Sequence, residues 1–248
     1  MRPRYPSTSG FSYSFGPGPL TPAIKVLIAI NVVAFVASFF VRTLTRQFGL
    51  VPLDVIHDYA VWQIVTYMFL HVGPMHLLFN MLALWMFGVE LERMWGTRFF
   101  TKFYLVAGIG AGVTQVLLGL LPFAFADLFY RNITVGASGA IYGILLAYGL
   151  YFPHRQILMF GVFPIPARAL VAIYAAIEVL YALGGGGNVA HTAHLGGLAT
   201  AYIYLKGTRI HLLSEIQYRY LKWRINRARK RFDVYSGGRA DDVDRRVH

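Results

Sequence analysis

The sequence contains no cysteine, and only 14% of its 248 residues are charged. Without cysteine the chain has no disulfide bond, no thiol catalysis and no cysteine-based zinc site. So few charges exclude an ordinary soluble domain, in which about one residue in four is charged. Residues 1–20 also lack the apolar core of a cleavable signal peptide, and we expect them to form a disordered cytoplasmic segment.

Apolar residues dominate instead: 56% of the chain is hydrophobic and the mean hydropathy is +0.52. Long apolar runs predict membrane-spanning helices. Six such runs lie at residues 22–41, 75–91, 103–121, 137–152, 169–183 and 189–205. The predicted fold class is therefore an all-α polytopic membrane protein, a six-transmembrane-helix bundle over residues 21–206.

Three connecting segments carry information about this bundle. Residues 42–73 are too interrupted to span a membrane and too apolar for a free loop, so we expect them to lie partly in the interface. Residues 153–168 contain several prolines and are interpreted as a link between the fourth and fifth spans. The four consecutive glycines at 184–187 predict a flexible hinge before the sixth span.

Basic residues orient the chain, which has a net charge of +12. Placing both termini, residues 92–102 and residues 153–168 inside puts 20 of the 23 Lys and Arg on the cytoplasmic side. We therefore predict a multi-pass protein with cytoplasmic N and C termini, in a prokaryotic cell membrane.

The tail, residues 207–248, is basic and amphipathic and is expected to be disordered at its end. We predict that it rests on anionic lipid. Binding of a nucleic acid or a protein partner is the alternative for the tail. For the chain as a whole no nucleic acid is expected, because the basic residues follow the ends of the spans.

Polar side chains in the second, fourth and sixth spans fall at similar depths. Helical rise from the inner ends puts five of them about 15–22 Å up. They are His76, Asn80, Ser138, Tyr142 and His194. The fourth span is so short that Ser138 should lie roughly 8 Å below the outer surface, where protein or water must surround it.

The spacing within these spans supports the same grouping. His76 and Asn80 are four residues apart, as are Ser138 and Tyr142, so each pair shares a helix face. Small residues that would allow close helix packing stand near them. These are Gly136, Gly139 and Gly143 in and before the fourth span, and Gly197 and Ala201 in the sixth.

The residue types predict nucleophilic catalysis. Ser138 needs a base to accept its proton, and His194 is the best available base near neutral pH. The Ser138 amide, Asn80 and His76 could donate hydrogen bonds to an oxyanion, and the Tyr142 ring could hold the imidazole. These three spans hold no carboxylate at that depth, so we expect a dyad whose activity falls as the imidazole becomes protonated.

Structural interpretations exist for each of these residues. A serine in a membrane helix usually bonds its own helix, and many membrane histidines are structural. Glu178, in the middle of the fifth span, is expected to make an interhelical hydrogen bond. A metal cluster of His71, His76, His191 and His194 is conceivable, but there is no HExxH motif and no carboxylate among them. We expect neither a metal nor an organic cofactor.

Residues from about 50 to 206 resemble the rhomboid intramembrane serine proteases. Four motifs in family order carry the resemblance: Trp62 through Met68-Phe69-Leu70-His71, then His76-Leu77-Leu78-Phe79-Asn80-Met81, Gly136-Ala137-Ser138-Gly139, and Ala193-His194-Leu195-Gly196-Gly197. The resemblance implies six helices, a membrane-embedded first loop and cleavage of transmembrane segments in membrane-anchored substrates. It also implies a Ser–His dyad without an acid, with Ser138 as nucleophile and His194 as base.

The same resemblance implies that His76 and Asn80 are oxyanion donors, that Tyr142 stacks on His194, and that residues 184–187 cap the site. Gln63 departs from the family, which commonly has arginine there. Two other functions are open at this point. One is a catalytically inactive rhomboid-like protein that binds transmembrane clients, and the other is a transporter or channel.

Overall fold

The structure is a computed structural model that describes residues 16–121, 130–159, 163–183, 189–209 and 222. The start of the predicted N-terminal segment, the glycines at 184–187 and most of the predicted tail lie outside the described residues. The described part holds six helices of 14 residues or more. They are α1 (Pro22–Phe40), α2 (Pro74–Trp95), α3 (Thr97–Gly119), α4 (Ser138–Tyr151), α5 (Ala167–Leu183) and α6 (Val189–Arg209).

These helices follow the six predicted apolar runs, with the largest difference at the start of α3. Helix α3 begins at Thr97 rather than near residue 103, because Gly96 at φ +79° ends α2 and lets the chain turn at once into the next helix. Helices α1, α2 and α3, with 19, 22 and 23 residues, are long and apolar enough to cross a membrane. Helix α4 is apolar but has only 14 residues, which cover about 21 Å.

Helix α4 lies at the centre of the bundle and packs against α2, α3 and α5. Nine of its 14 residues are buried. Glycines allow this burial: a Cβ atom added to Gly143 would lie 2.7 Å from Ala107 Cβ of α3 and 3.1 Å from Ala201 Cβ of α6. A Cβ atom added to Gly197 would lie only 2.0 Å from the carbonyl oxygen of Gly139. The backbones of α4 and α6 are therefore in direct contact.

The segment between α1 and α2 supports the start of α4. It contains short helices at Leu44–Phe48, Pro52–His57 and Gln63–Thr66 and a 3₁₀ turn at Tyr67–Phe69. Leu50 and Thr134 exchange backbone hydrogen bonds of 2.9 and 2.8 Å, and the Gly136 N–H donates to the Tyr67 carbonyl at 2.9 Å. These bonds fix the chain just before Ser138. That the segment enters the membrane stays a prediction.

Gln63, where the family commonly has arginine, is part of this support. Its side chain is buried and accepts a hydrogen bond of 3.0 Å from the Val51 N–H. In this chain the side chain of residue 63 therefore stabilises the segment between α1 and α2 by a hydrogen bond within that segment.

The link between α4 and α5 differs from the all-α prediction. It contains an antiparallel hairpin of β1 (Gln156–Met159) and β2 (Phe163–Pro166). The sequence analysis predicted a proline-containing link here and no strand, and Pro164 and Pro166 both lie in β2. A two-stranded sheet leaves one edge of each strand unpaired, and proline, which has no N–H, is tolerated at such an edge.

The chain divides into two compact units, residues 1–205 and residues 206–248. Of the second unit the structure describes residues 206–209 and 222. The amphipathic character and lipid contact of the tail therefore stay predictions.

Candidate active site

Gly136 shapes the approach to the site. Its φ is +127°, a conformation that residues with a side chain rarely adopt. A Cβ atom there would also lie 2.8 Å from Cε1 of His76. Gly136 precedes α4 and lets the backbone pass the His76 ring before Ser138. Its role in helix packing stays a prediction.

Ser138 and His194 face each other between α4 and α6. The Nε2 atom of His194 lies 2.7 Å from Oγ of Ser138. The Tyr142 ring, one turn along α4, stacks on the imidazole with centroids 4.2 Å apart and planes 10° apart. Ser138 is the first residue of α4, where backbone N–H groups have no partner within the helix. The side chain of His194 is mostly buried but remains 14% exposed.

His76 and Asn80 occupy the neighbouring face of α2. The His76 ring borders Gly136, and Asn80 is buried and donates from Nδ2 to the His76 carbonyl at 2.7 Å. An amide carries two N–H donors, so one remains for another acceptor. His71 stands edge-on to His76, with ring centroids 4.9 Å apart. Burial and the adjacent His76 imidazole lower the pKa of His71 to about 4, so His71 is neutral at pH 7.

Glu178 of α5 reaches the same group of residues. The Tyr142 hydroxyl donates to its Oε1 atom, and Nδ1 of His191 lies 2.6 Å from Oε2. The interhelical hydrogen bond predicted for Glu178 is therefore present. In addition, Oε1 lies 3.1 Å from Nδ1 of His194. That is an ion-pair distance, although the orientation does not meet hydrogen-bond geometry.

The contact between Glu178 and His194 was missed because acids were sought only in the three spans that carry the other polar residues. The signal was nevertheless in the sequence. A carboxylate in the middle of an apolar span by itself indicates a functional site. What the sequence could not supply is the rotation of α5 that turns this side chain inward.

Glu178, His191 and His194 also carry the kinds of atom that bind metals in proteins, a carboxylate oxygen and imidazole nitrogens. One ligand atom from each of Glu178, His191 and His194 lies within 4.8 Å of the others. Our sequence argument against a metal, that no carboxylate stands among the histidines, does not hold in space. The Glu178 carboxylate also contacts both histidines directly, with Oε2 2.6 Å from Nδ1 of His191 and Oε1 3.1 Å from Nδ1 of His194. The expectation of no metal stays a prediction.

Comparison with known proteins decides the family. The family model for the Rhomboid domain matches residues 58–209, more than half of the chain. The chain belongs to the rhomboid family. It is therefore an integral membrane protein, and all of the site residues described above lie within the matched region.

Individual rhomboid relatives come from several kinds of organism. The chain is 37% identical over 139 residues to Rhomboid protein 1, mitochondrial, of Saccharomyces cerevisiae, covering 55% of this chain and 38% of the relative. It is 35% identical over 137 residues to Rhomboid protease GluP of Bacillus subtilis, covering 55% and 24%. It is 29% identical over 160 residues to RHOMBOID-like protein 2 of Arabidopsis thaliana, covering 64% and 46%.

The matches have two consequences for our predictions. The chain spans less than half the length of these three rhomboid relatives. Their sources are a plant, a yeast and a bacterium, so they give no support to the prediction of a prokaryotic membrane.

Proposed function

We propose that this rhomboid is an intramembrane serine endopeptidase that hydrolyses a peptide bond in the transmembrane segment of a membrane-anchored protein. The observation that supports this most strongly is the 2.7 Å distance between Ser138 Oγ and His194 Nε2. A hydroxyl and an imidazole at this distance form the nucleophile–base pair of acyl transfer. The name of the relative GluP, a rhomboid protease, agrees with this reaction.

In the proposed reaction the Ser138 hydroxyl gives its proton to His194 Nε2 while Oγ bonds to the scissile carbonyl carbon. The tetrahedral intermediate then collapses as the imidazolium passes that proton to the leaving amine. A water molecule next gives a proton to the imidazole and attacks the acyl-enzyme, and collapse returns the hydroxyl to Ser138. Neither a metal nor an organic cofactor takes part in these steps.

The negative oxygen of the intermediate needs donors that are already in place. The Ser138 N–H at the start of α4, the second Asn80 N–H and the His76 ring are the proposed donors. The closeness of His76 to Gly136, two residues before Ser138, supports this assignment. Tyr142, stacked on the base, is proposed to keep the imidazole plane fixed.

The remaining parts of the proposal concern the whole chain. The six helices are proposed to span the membrane with both termini in the cytoplasm and the site in the outer half. The first loop, residues 42–73, is proposed to be embedded in the membrane, and the basic tail to contact anionic lipid.

Labelling with a fluorophosphonate probe in detergent tests the proposal. The wild type and Ser38→Ala are expected to be labelled and to cleave a model transmembrane substrate, whereas Ser138→Ala should do neither. Ser38 is a matched control because its hydroxyl bonds the Phe35 carbonyl of its own helix, at 2.6 Å. A wild type that is neither labelled nor active would instead favour a client-binding protein.

A further inference from the structure

We propose that Glu178 is a positioning residue for the base, holding His194 in the tautomer and orientation that accept a proton from Ser138. The inference rests on the proposed function, because it concerns the same serine and histidine. It adds an acid from α5, which is not one of the three helices that carry the other proposed site residues. The site would then act with a carboxylate behind the imidazole.

The His194 imidazole lies between the Ser138 hydroxyl and the Glu178 carboxylate. One imidazole nitrogen, Nε2, lies 2.7 Å from the Ser138 hydroxyl, and the other, Nδ1, lies 3.1 Å from the Glu178 carboxylate. A neutral imidazole carries one proton, and a carboxylate only accepts hydrogen bonds. The favoured tautomer therefore has the proton on Nδ1, next to Glu178, which leaves the Nε2 lone pair for Ser138. Once Nε2 is protonated, the imidazolium has a counter-charge beside it.

Glu178 is itself held in place by neighbouring side chains. Its Oε1 accepts from the Tyr142 hydroxyl, and its Oε2 contacts Nδ1 of His191 at 2.6 Å. The ring of His191 is stacked on Tyr181 of α5, with centroids 4.8 Å apart and planes 8° apart. The Glu178 carboxylate thus has partners on α4 and α6. Tyr142 stacks on His194 and also donates a hydrogen bond to Glu178.

A purely structural role does not account for Glu178. The other buried residues of α5 are the apolar Ala167 and Leu170, and the side chain of Glu178 is only 5% exposed. Burying a carboxylate is unfavourable, and apolar side chains of similar volume often stabilise a fold as well or better. Packing alone therefore does not explain a carboxylate here, whereas contact with the base does.

The decisive variant is Glu178→Gln, which keeps the shape of the side chain and removes its charge. Its amide can also donate to Nδ1 and favour the wrong tautomer. We expect kcat on a model transmembrane substrate to fall at least tenfold, with KM within about twofold, by analogy with acid-to-amide changes in serine hydrolases. Glu178→Asp should recover part of the loss.

Glu90→Gln is the matched control. Glu90 also accepts from a tyrosine of α4, Tyr148 at 3.0 Å, and it pairs with Arg155 at 2.7 Å, but it lies at the other end of α4. This variant should keep wild-type activity per folded molecule. Thermal unfolding in detergent gives the folded fraction of each variant.

A pH–rate profile separates positioning from simple support. The titratable groups of the described residues that face His194 are Tyr142 from α4, Glu178 from α5, His191 from α6 and His76 from α2. Removing the negative charge of Glu178 takes away the counter-charge of the imidazolium. The acid limb of kcat/KM should therefore move to lower pH in Glu178→Gln and stay unchanged in Glu90→Gln.

Three results would overturn the inference. The first is a Glu178→Gln enzyme with wild-type kcat, or with a loss that only matches its loss of folded protein. The second is wild-type activity that EDTA removes and Zn²⁺ restores, because Glu178, His191 and His194 would then be metal ligands. The third is a wild type without Ser138-dependent activity. The second and third results would overturn the proposed function as well, whereas the first leaves that function intact.

Discussion

At the residue scale, hydrogen-bonding capacity decides what each polar side chain of the site can do. Asn80 uses one amide N–H on the carbonyl of its own helix, at 2.7 Å. Its second N–H is the group that could meet an oxyanion. Asn31 of α1 makes the same bond, from Nδ2 to the Leu27 carbonyl at 2.8 Å, but is far from the site in sequence and outside the proposed chemistry.

Asn80→Ala is expected to lower kcat by about 10²–10³-fold, the usual effect of removing one oxyanion donor. Asn31→Ala removes an equivalent buried amide, so it controls for loss of helix stability. It should change the activity per folded molecule by less than about twofold. Steady-state kinetics with protein corrected for folded fraction measures both. Equal losses in the two variants would show that Asn80 has only a structural role.

At the element scale, the contact between α4 and α6 is what brings hydroxyl and imidazole together. Gly139 and Gly197 touch through their backbones, and Gly143 meets Ala201 one turn further along. Helices that approach this closely leave no room for a side chain at the contact. The site geometry therefore depends on glycine and alanine residues that take no part in the proposed reaction.

Gly197→Ala should destabilise the bundle, since the new Cβ would lie 2.0 Å from the Gly139 carbonyl oxygen. We expect the free energy of unfolding to fall by about 1–3 kcal/mol as the helices separate. Activity per folded molecule should fall as well, because the Ser138–His194 distance would increase. Denaturant titration in detergent gives the stability change. Gly73→Ala, where a Cβ would meet nothing within 4 Å, is the control and should be near wild type in both measurements.

A second contact at the element scale joins α1 to α2 through Glu92. Its carboxylate accepts hydrogen bonds from the Ala23 N–H at 2.9 Å, the Ile24 N–H at 3.2 Å and the Thr97 hydroxyl at 2.7 Å, and from the Thr21 hydroxyl. Amides at the start of a helix have no partner within it, and an anion there is favoured. Glu92 therefore caps α1 from a neighbouring helix.

Glu92→Ala is expected to lower the free energy of unfolding by about 1–3 kcal/mol, because buried donors at the start of α1 lose their acceptor. The midpoint of thermal unfolding in detergent reports this loss. Asp58→Ala removes an exposed carboxylate and should leave the midpoint nearly unchanged. Equal midpoints for the wild type and Glu92→Ala would contradict the capping role.

At the scale of the whole molecule, the distribution of basic residues sets the proposed orientation. The positive-inside rule puts the link after α4 in the cytoplasm and the segment before α4 outside. His154 lies in that link and Asn132 in that segment, and both are exposed. Since the chain has no cysteine, single introduced thiols report the topology without background.

A membrane-impermeant maleimide should label Asn132→Cys in intact cells. It should label His154→Cys only after the membrane is permeabilised. Labelling of the unsubstituted chain is the background measurement and should be absent. The opposite pattern, with residue 154 reached from outside, would reverse the proposed orientation.

Some properties of this protein followed from the sequence by itself. Hydropathy and helical spacing are local, so the apolar runs and the shared faces of His76 with Asn80 and of Ser138 with Tyr142 could be read directly. The count of helical rise also put Ser138 and His194 at similar depths, because depth in a short helix depends only on residue number. The resemblance then supplied the family.

Only the tertiary structure decided how elements meet. The rotation of α5, which turns Glu178 toward His194, is set by its packing on α4 and leaves no mark in local spacing. The positive φ of Gly136 accommodates the His76 ring of another helix. Each depends on a contact between residues that are distant in sequence. The local conformational preferences of the residues do not encode such contacts.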